Sequence, residues 1–318
     1  MSPRPRFSPL RLAFRHSEQC AGHAGRGAGH ALRSWFVISP NPDLLGLFPD
    51  AARHRPLSSA LPPGRPVRSR ERPESPLPAL WLSGGPAPAG LWTRLRAEHS
   101  SSGLWPLLLD ALDDEDPAYR PWGSGELTPA PAAAAGAHDP AVVLERWWAA
   151  HTGDDPEDQL TPAQRLAVTA PFGRAWPGLA PARVPTNDPG RVADDLAGEL
   201  LRGHGSLRLG LVAADRGADA LTVAGWGGAA GYVDDTAELS AVLRSWESRF
   251  GARVVGVGSS TLLLSVAAPP TTLTEALAIS VEHFAVCPDN VWQSDEAHPL
   301  MAYAERLVGD HSWTFWWD

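Results

Sequence analysis

The chain has 318 residues, and its 27 basic residues are all arginine, set against 36 acids. That length suffices for two domains of roughly 100–200 residues, and 43% hydrophobic residues can furnish a core. The absence of lysine excludes a Schiff base, a pyridoxal anchor, a phosphate-loop lysine and a lysine general base. The net charge of −9 is uneven: residues 1–72 hold 12 Arg against four acids, and the remainder holds 15 against 32. An acidic body lacks the clustered positive charge that a phosphate backbone requires, which argues against nucleic acid. It suits a basic protein partner steered by the field.

Residues 1–59 are rich in Arg, Pro, Gly, Ala and His, with one apolar island at Trp35–Ile38. They read as a basic, disordered N-terminal extension, or as translation from an upstream start in a GC-rich gene. Arg11, Arg15 and His16 break the only candidate for a signal-peptide apolar region, and no stretch approaches the ~18 apolar residues of a membrane span. Two cysteines, Cys20 and Cys287, do not make a disulfide framework. A reduced, cytoplasmic setting is expected, with no membrane partner and no cofactor.

From residue 60 the pattern becomes globular. Pro78–Ser83 and Leu104–Asp110 are short apolar runs between turn residues and predict strands, with a helical stripe of Leu91, Trp92 and Leu95 between them. The acidic clusters Asp113–Asp116 and Asp154–Asp158 lack the glycine and closing glutamate of a calcium loop and read as solvated linkers. Pro129–Gly136 is a low-complexity joint. Asp139-Pro140 caps a helix carrying Val143, Leu144, Trp147 and Trp148, and Thr161-Pro-Ala-Gln164 is a capping box.

Asp188-Pro189 opens a helix with Val192, Leu196 and Leu200 inward. Ser206–Asp215 and Ala220–Trp226, joined by DRGAD, predict a β-hairpin. Asp235 caps a helix with Leu239, Val242, Leu243, Trp246 and Phe250 on one face, stopped by Gly251. Arg253–Gly258 and Thr261–Ala267 predict a second hairpin. Thr272–Glu275 is a capping box before a stripe of Leu273, Leu277, Val281 and Phe284. Pro299 opens a last helix with Leu300, Tyr303, Ala304 and Leu307 inward, and SWTFWWD closes the chain as a strand.

This order predicts an α+β fold: an antiparallel or mixed sheet built from two hairpins with helices packed on one face. A smaller irregular α/β region precedes it. The expected organisation is an extension over 1–59, an N-terminal α/β region over 60–180 and a C-terminal α+β domain over 181–318.

Zinc-protease, paired-cysteine, nucleophile-elbow and Walker signatures are missing. Gly225-Trp-Gly-Gly-Ala-Ala230 matches a dinucleotide fingerprint by letter, but a tryptophan stands where a pyrophosphate approaches the backbone, so it reads as a turn. The dense polar segment is Glu282–Gln293. His283 and Cys287 lie four apart on one helix, with Asp289 and Asn290 in the turn that follows Pro288. Glu282, His283, Cys287 and Asp289 are the candidates for a thiol nucleophile with its base, or for a metal site. A helix C-terminus disfavours a thiolate and favours an imidazolium. The preferred reading is therefore structural: a small buried Cys287, a dipole-satisfying His283 and an Asp-Asn turn. Asn290, Trp292, Gln293, Trp226, Trp246, Trp316 and Trp317 are binding candidates, because exposed tryptophan suits an interface. Alternation puts Trp313, Phe315 and Trp317 on one face of the last strand, with Thr314 and Trp316 on the other.

Ser245–Gln293 with the closing W-x-F-W-W-D resembles the actinobacterial family called domain of unknown function 4253. Trp246, Arg249, Phe250, Gly251, Pro269, Pro270, Glu282, His283, Cys287, Pro288, Asp289, Trp292 and Gln293 carry the resemblance. It is firm over about 181–318 and looser from residue 60, and it implies no assigned activity. The sequence favours a non-catalytic protein-interaction or binding module. The alternative is an enzyme, with hydrolysis the reaction class considered, or a metal-binding protein centred on Glu282, His283, Cys287 and Asp289.

Overall fold

In the strand Leu104–Leu109 (β3) every residue is buried, so both of its faces require cover. This strand lies at the middle of a seven-stranded mixed sheet in a computed structural model that describes residues 42–48, 56–113, 116–153, 161–292 and 299–318. The other strands are Gly64–Val67 (β1), Leu80–Pro86 (β2), Arg208–Ala213 (β4), Arg253–Val257 (β5), Thr261–Ser265 (β6) and Ser312–Trp316 (β7). Their order is β1-β2-β4-β3-β5-β6-β7. All neighbours are antiparallel except β3 and β5, where Leu108 stands opposite Gly256 and Leu109 opposite Val257.

The helices are Pro42–Leu45 (α1), Leu91–Ser102 (α2), Pro140–Thr152 (α3), Pro162–Val168 (α4) and Pro189–Gly203 (α5), then Ala220–Ala224 (α6) and Thr236–Phe250 (α7). Leu273–Val286 (α8), Asp289–Trp292 (α9) and Pro299–Leu307 (α10) complete them. Side chains of α1, α2 and α5 join Trp81, Leu104, Leu108, Leu209, Leu211 and Val255 in one core layer. Those of α3, α6, α7, α8 and α10 join Leu82, Trp105, Leu107, Leu109 and the inward row of β7 in the other. The fold is α+β as expected, but helices cover both faces rather than one. The alternating hydrophobics of β3, which divide between the two layers, impose this.

One sheet takes strands from both sides of residue 181, with β4 between β2 and β3. Leu44, Leu47 and Leu57, placed by the sequence in the basic extension, are core residues. Cys20, Gln293 and the acidic run Asp154–Asp158 lie outside the described residues.

Capping chemistry places the helix starts well. Asp139, Thr161, Asp188, Asp235 and Thr272 each accept a first-turn backbone N–H, and the boxes Thr161/Gln164 and Thr272/Glu275 are complete. The expectations for α6 and for the buried stripe of α8 fail. Ala220–Ala224 is a helix, not the return strand of a hairpin. It is enclosed on most sides, and the Thr222 hydroxyl bonds Ser240 Oγ on α7 at 2.7 Å, so alternation carries no information there. On α8, Leu273 is exposed and Leu277 half-buried, while Ile279 to Val286 are buried all round between α3, α10 and β7.

Gly225 closes α6 with φ +76°, and its carbonyl accepts Thr128 N–H at 2.8 Å. A Cβ there would lie 2.2 Å from backbone atoms of Thr128 and Pro129. The glycine is thus set by chain crossing and handedness, as a turn rather than a phosphate cradle. Gly225→Ala is expected to destabilise by about 1–3 kcal/mol from backbone conformation alone, with the clash added. Denaturant unfolding checks this.

Candidate functional site

The Glu282–Trp292 segment runs from the last turn of α8 through a corner into α9. Glu282 is fully buried, and each of its carboxylate oxygens has two donors. Oε1 accepts from Ala180 N at 2.7 Å and Arg249 Nη1 at 2.8 Å; Oε2 accepts from Arg249 Nη2 at 2.6 Å and Trp246 Nε1 at 2.7 Å. Arg249 Nη1 also reaches the Ala180 carbonyl, and Nε reaches Ser245 Oγ. Arg249 follows Trp246 by three positions on α7, so one helix face presents both donors. The pair is bidentate, and the carboxylate binds α7, α8 and residue 180 into one unit.

His283 is also fully buried, walled by Trp246, Tyr303, Trp313 and Phe315, with ring centroids 4.4–5.8 Å away. Asn290 Nδ2 donates to Tyr303 Oη at 3.2 Å, which leaves the tyrosine O–H to donate to His283 Nδ1 at 3.0 Å. That assigns the proton to Nε2, which has no hydrogen-bond partner and faces rings. Burial lowers the His283 pKa from 6.5 to about 3. The expected imidazolium is therefore corrected: the cage removes the solvation that a cation at a helix end would need.

Cys287 caps α8 from a fully buried position, and its thiol donates to the Trp316 carbonyl at 2.9 Å. Burial pushes its pKa up to about 12. The nearby Asn290 Oδ1 is 3.5 Å away. A protonated, enclosed thiol is the reverse of a reactive one. Asp289 Oδ1 accepts from Tyr232 Oη at 3.0 Å and Oδ2 from Asp318 N at 3.0 Å, and burial raises the Asp289 pKa. Asn290 Nδ2 also donates to the Thr314 carbonyl at 2.7 Å.

These contacts share a pattern. His311 O and Trp317 N bond to Val266 N and Ser260 O on either side of β6, so odd-numbered backbone groups of the last strand face the sheet. The even positions face its open side. There Thr314 O, Trp316 O and Asp318 N meet Asn290, Cys287 and Asp289, while Ser312 N meets the Asp310 carboxylate. The corner stands in for a neighbouring strand.

The structure thus brings His283, Cys287, Asp289 and Asn290 into one network and places Glu282 in another, beyond the imidazole. The side chains of His283 and Cys287 do not bond each other; the Cys287 N–H donates to the His283 carbonyl at 2.8 Å. Among the described residues, no group of three or more His, Cys, Asp or Glu could hold a metal ion. Of the aromatic candidates, Trp226, Trp246 and Trp317 are core, with indole N–H groups donating to Gly258 O, Glu282 and Val286 O. Trp292 and Trp316 are half-buried. Sequence reasoning missed Tyr232, Tyr303 and Ala180 as partners, because each arrives from a separate segment.

Residues 208–318 match the family of domain of unknown function 4253 (DUF4253). The match takes in β4–β7 and α6–α10, including the whole corner. No curated protein and no solved structure was found to match the chain.

Glu282→Gln leaves the largely buried Arg249 short of its counter-charge and is expected to cost about 3–5 kcal/mol in denaturant unfolding. His283 and His151, the latter lowered to about 4 mainly by burial, fold neutral. Each contributes stability that is complete above pH ~6.5 and is lost as pH falls towards the folded value, because the unfolded chain takes up the proton. The raised carboxyl of Asp289 acts in the opposite sense, favouring the fold when protonated. Thermal melts should therefore lose Tm between about pH 6.5 and 4. His283→Leu should flatten that slope, and an unchanged slope would refute the assignment.

Proposed function

We propose that this protein is a non-catalytic, cytoplasmic protein-interaction or binding module. One observation carries the reading: the groups with catalytic potential are engaged in holding the fold. The Cys287 thiol donates into a strand carbonyl and Glu282 is bound by four donors. Its acidic body favours a basic protein as partner. Two further observations bear on where such a partner would sit. Trp316 projects from the last strand on the side opposite Trp313, Phe315 and Trp317, and Val184 is 87% exposed. No helix among the described residues is long and apolar enough to cross a membrane.

Affinity capture from native cytosol with the tagged full chain tests the proposal. The expected result is a stoichiometric protein whose recovery falls with rising salt and with Trp316→Ala. Trp317 is unsuitable for that control, since its loss would open the core. Recovery of the bait alone would overturn the interaction reading.

A further inference from the structure

Every sheet with two ends must keep its outer strands from pairing with other chains. At the β1 end, Pro63 O and Val67 O accept Gly84 N and Ala79 N on the β2 side, so Gly64 and Pro66 face outward. Pro66 has no N–H, which interrupts that edge. At the other end β7 contains neither proline nor glycine and reads SWTFW, a composition with high strand propensity and no charge.

We propose that the Cys287–Asn290 corner is a guard on the β7 edge, and that displacing it lets β7 pair with β7 of a second copy of this chain. The guard is specific in its geometry. Consecutive outward positions 314, 316 and 318 are each met by one side chain of a four-residue segment: amide to carbonyl, thiol to carbonyl, and backbone N–H to carboxylate. Cysteine suits the middle position because its compact S–H donates from a fully buried site. Two identical edges running antiparallel across a two-fold axis satisfy each other, which makes a second copy the natural occupant. The inference concerns self-association alone and does not depend on the chain having any other partner.

The test uses the full-length double variant Cys287→Val/Asn290→Leu, which removes both donors to Thr314 O and Trp316 O. Sedimentation equilibrium across a concentration series is expected to show the average mass rising from one chain towards two, at concentrations where the parent protein holds the lower mass. Adding Thr314→Pro, which alters an outward position and leaves the β6 ladder intact, should return the mass to that of the parent. If the double variant does not fold, Cys287→Ala removes one donor and little volume and should show a smaller rise of the same kind. A folded variant whose mass matches the parent at every concentration would overturn the proposal. So would association that Thr314→Pro leaves untouched.

Discussion

The Glu282 carboxylate is the contact on which the C-terminal half of the molecule depends. A fully buried charge is tolerated only when its counter-charge and hydrogen bonds are in place together. Here the fork of Arg249, the indole of Trp246 and the amide of Ala180 meet that requirement at 2.6–2.8 Å. The arrangement fixes how α7 lies against α8. With that angle set, Trp246 stacks on Phe315 and forms one wall of the His283 cage. The cage in turn holds Tyr303 against Asn290, and Asn290 holds the outer strand. A chain of pairings thus leads from one buried ion pair to the edge of the sheet.

The tryptophans follow a similar rule. Trp92, Trp105, Trp122, Trp148, Trp226 and Trp317 each donate an indole N–H to a backbone carbonyl: Pro106, Val254, Asp110, Arg174, Gly258 and Val286. A large apolar body fills the interior while its one polar atom reaches a backbone carbonyl. The accepting carbonyls lie both inside strands, at Pro106 and Val254, and outside them, so burying an indole N–H needs a carbonyl but no particular element.

Most helix starts and six of the seven strands were legible because local chemistry decides them: caps at Asp139, Thr161, Asp188, Asp235 and Thr272, and apolar runs between turns. The inward row Trp313, Phe315 and Trp317 was legible from alternation. Ala220–Ala224 was not, since a short run buried on nearly every side loses the periodicity that separates helix from strand. The two-sided cover of the sheet was written in LWPLLL, a run without polar positions, but which helices supply it is a matter of long-range topology. The site was half legible. Glu282, His283, Cys287, Asp289 and Asn290 stood out as polar groups in an apolar stretch. Their partners Tyr232, Arg249, Tyr303 and Thr314 lie 13 to 57 positions away along the chain.

That half-legibility has a physical origin. A polar side chain inside an apolar run must be paired, whether the pairing serves chemistry or only the fold, so spacing alone does not separate the two. What separates them is where each polar atom finds its partner. An active site keeps a nucleophile, a base or a donor aimed at a place a substrate will occupy. Along Glu282–Asn290 the partners are internal: a guanidinium, an indole, two tyrosine hydroxyls, two strand carbonyls and two backbone amides. The exception is His283 Nε2, and its surroundings are aromatic rings that also hold the imidazole neutral. Burial holds the imidazole neutral, its pKa lowered to about 3, and keeps the thiol protonated, its pKa raised to about 12. The segment that most resembles a catalytic motif in sequence meets, in three dimensions, the outward backbone groups of the last strand.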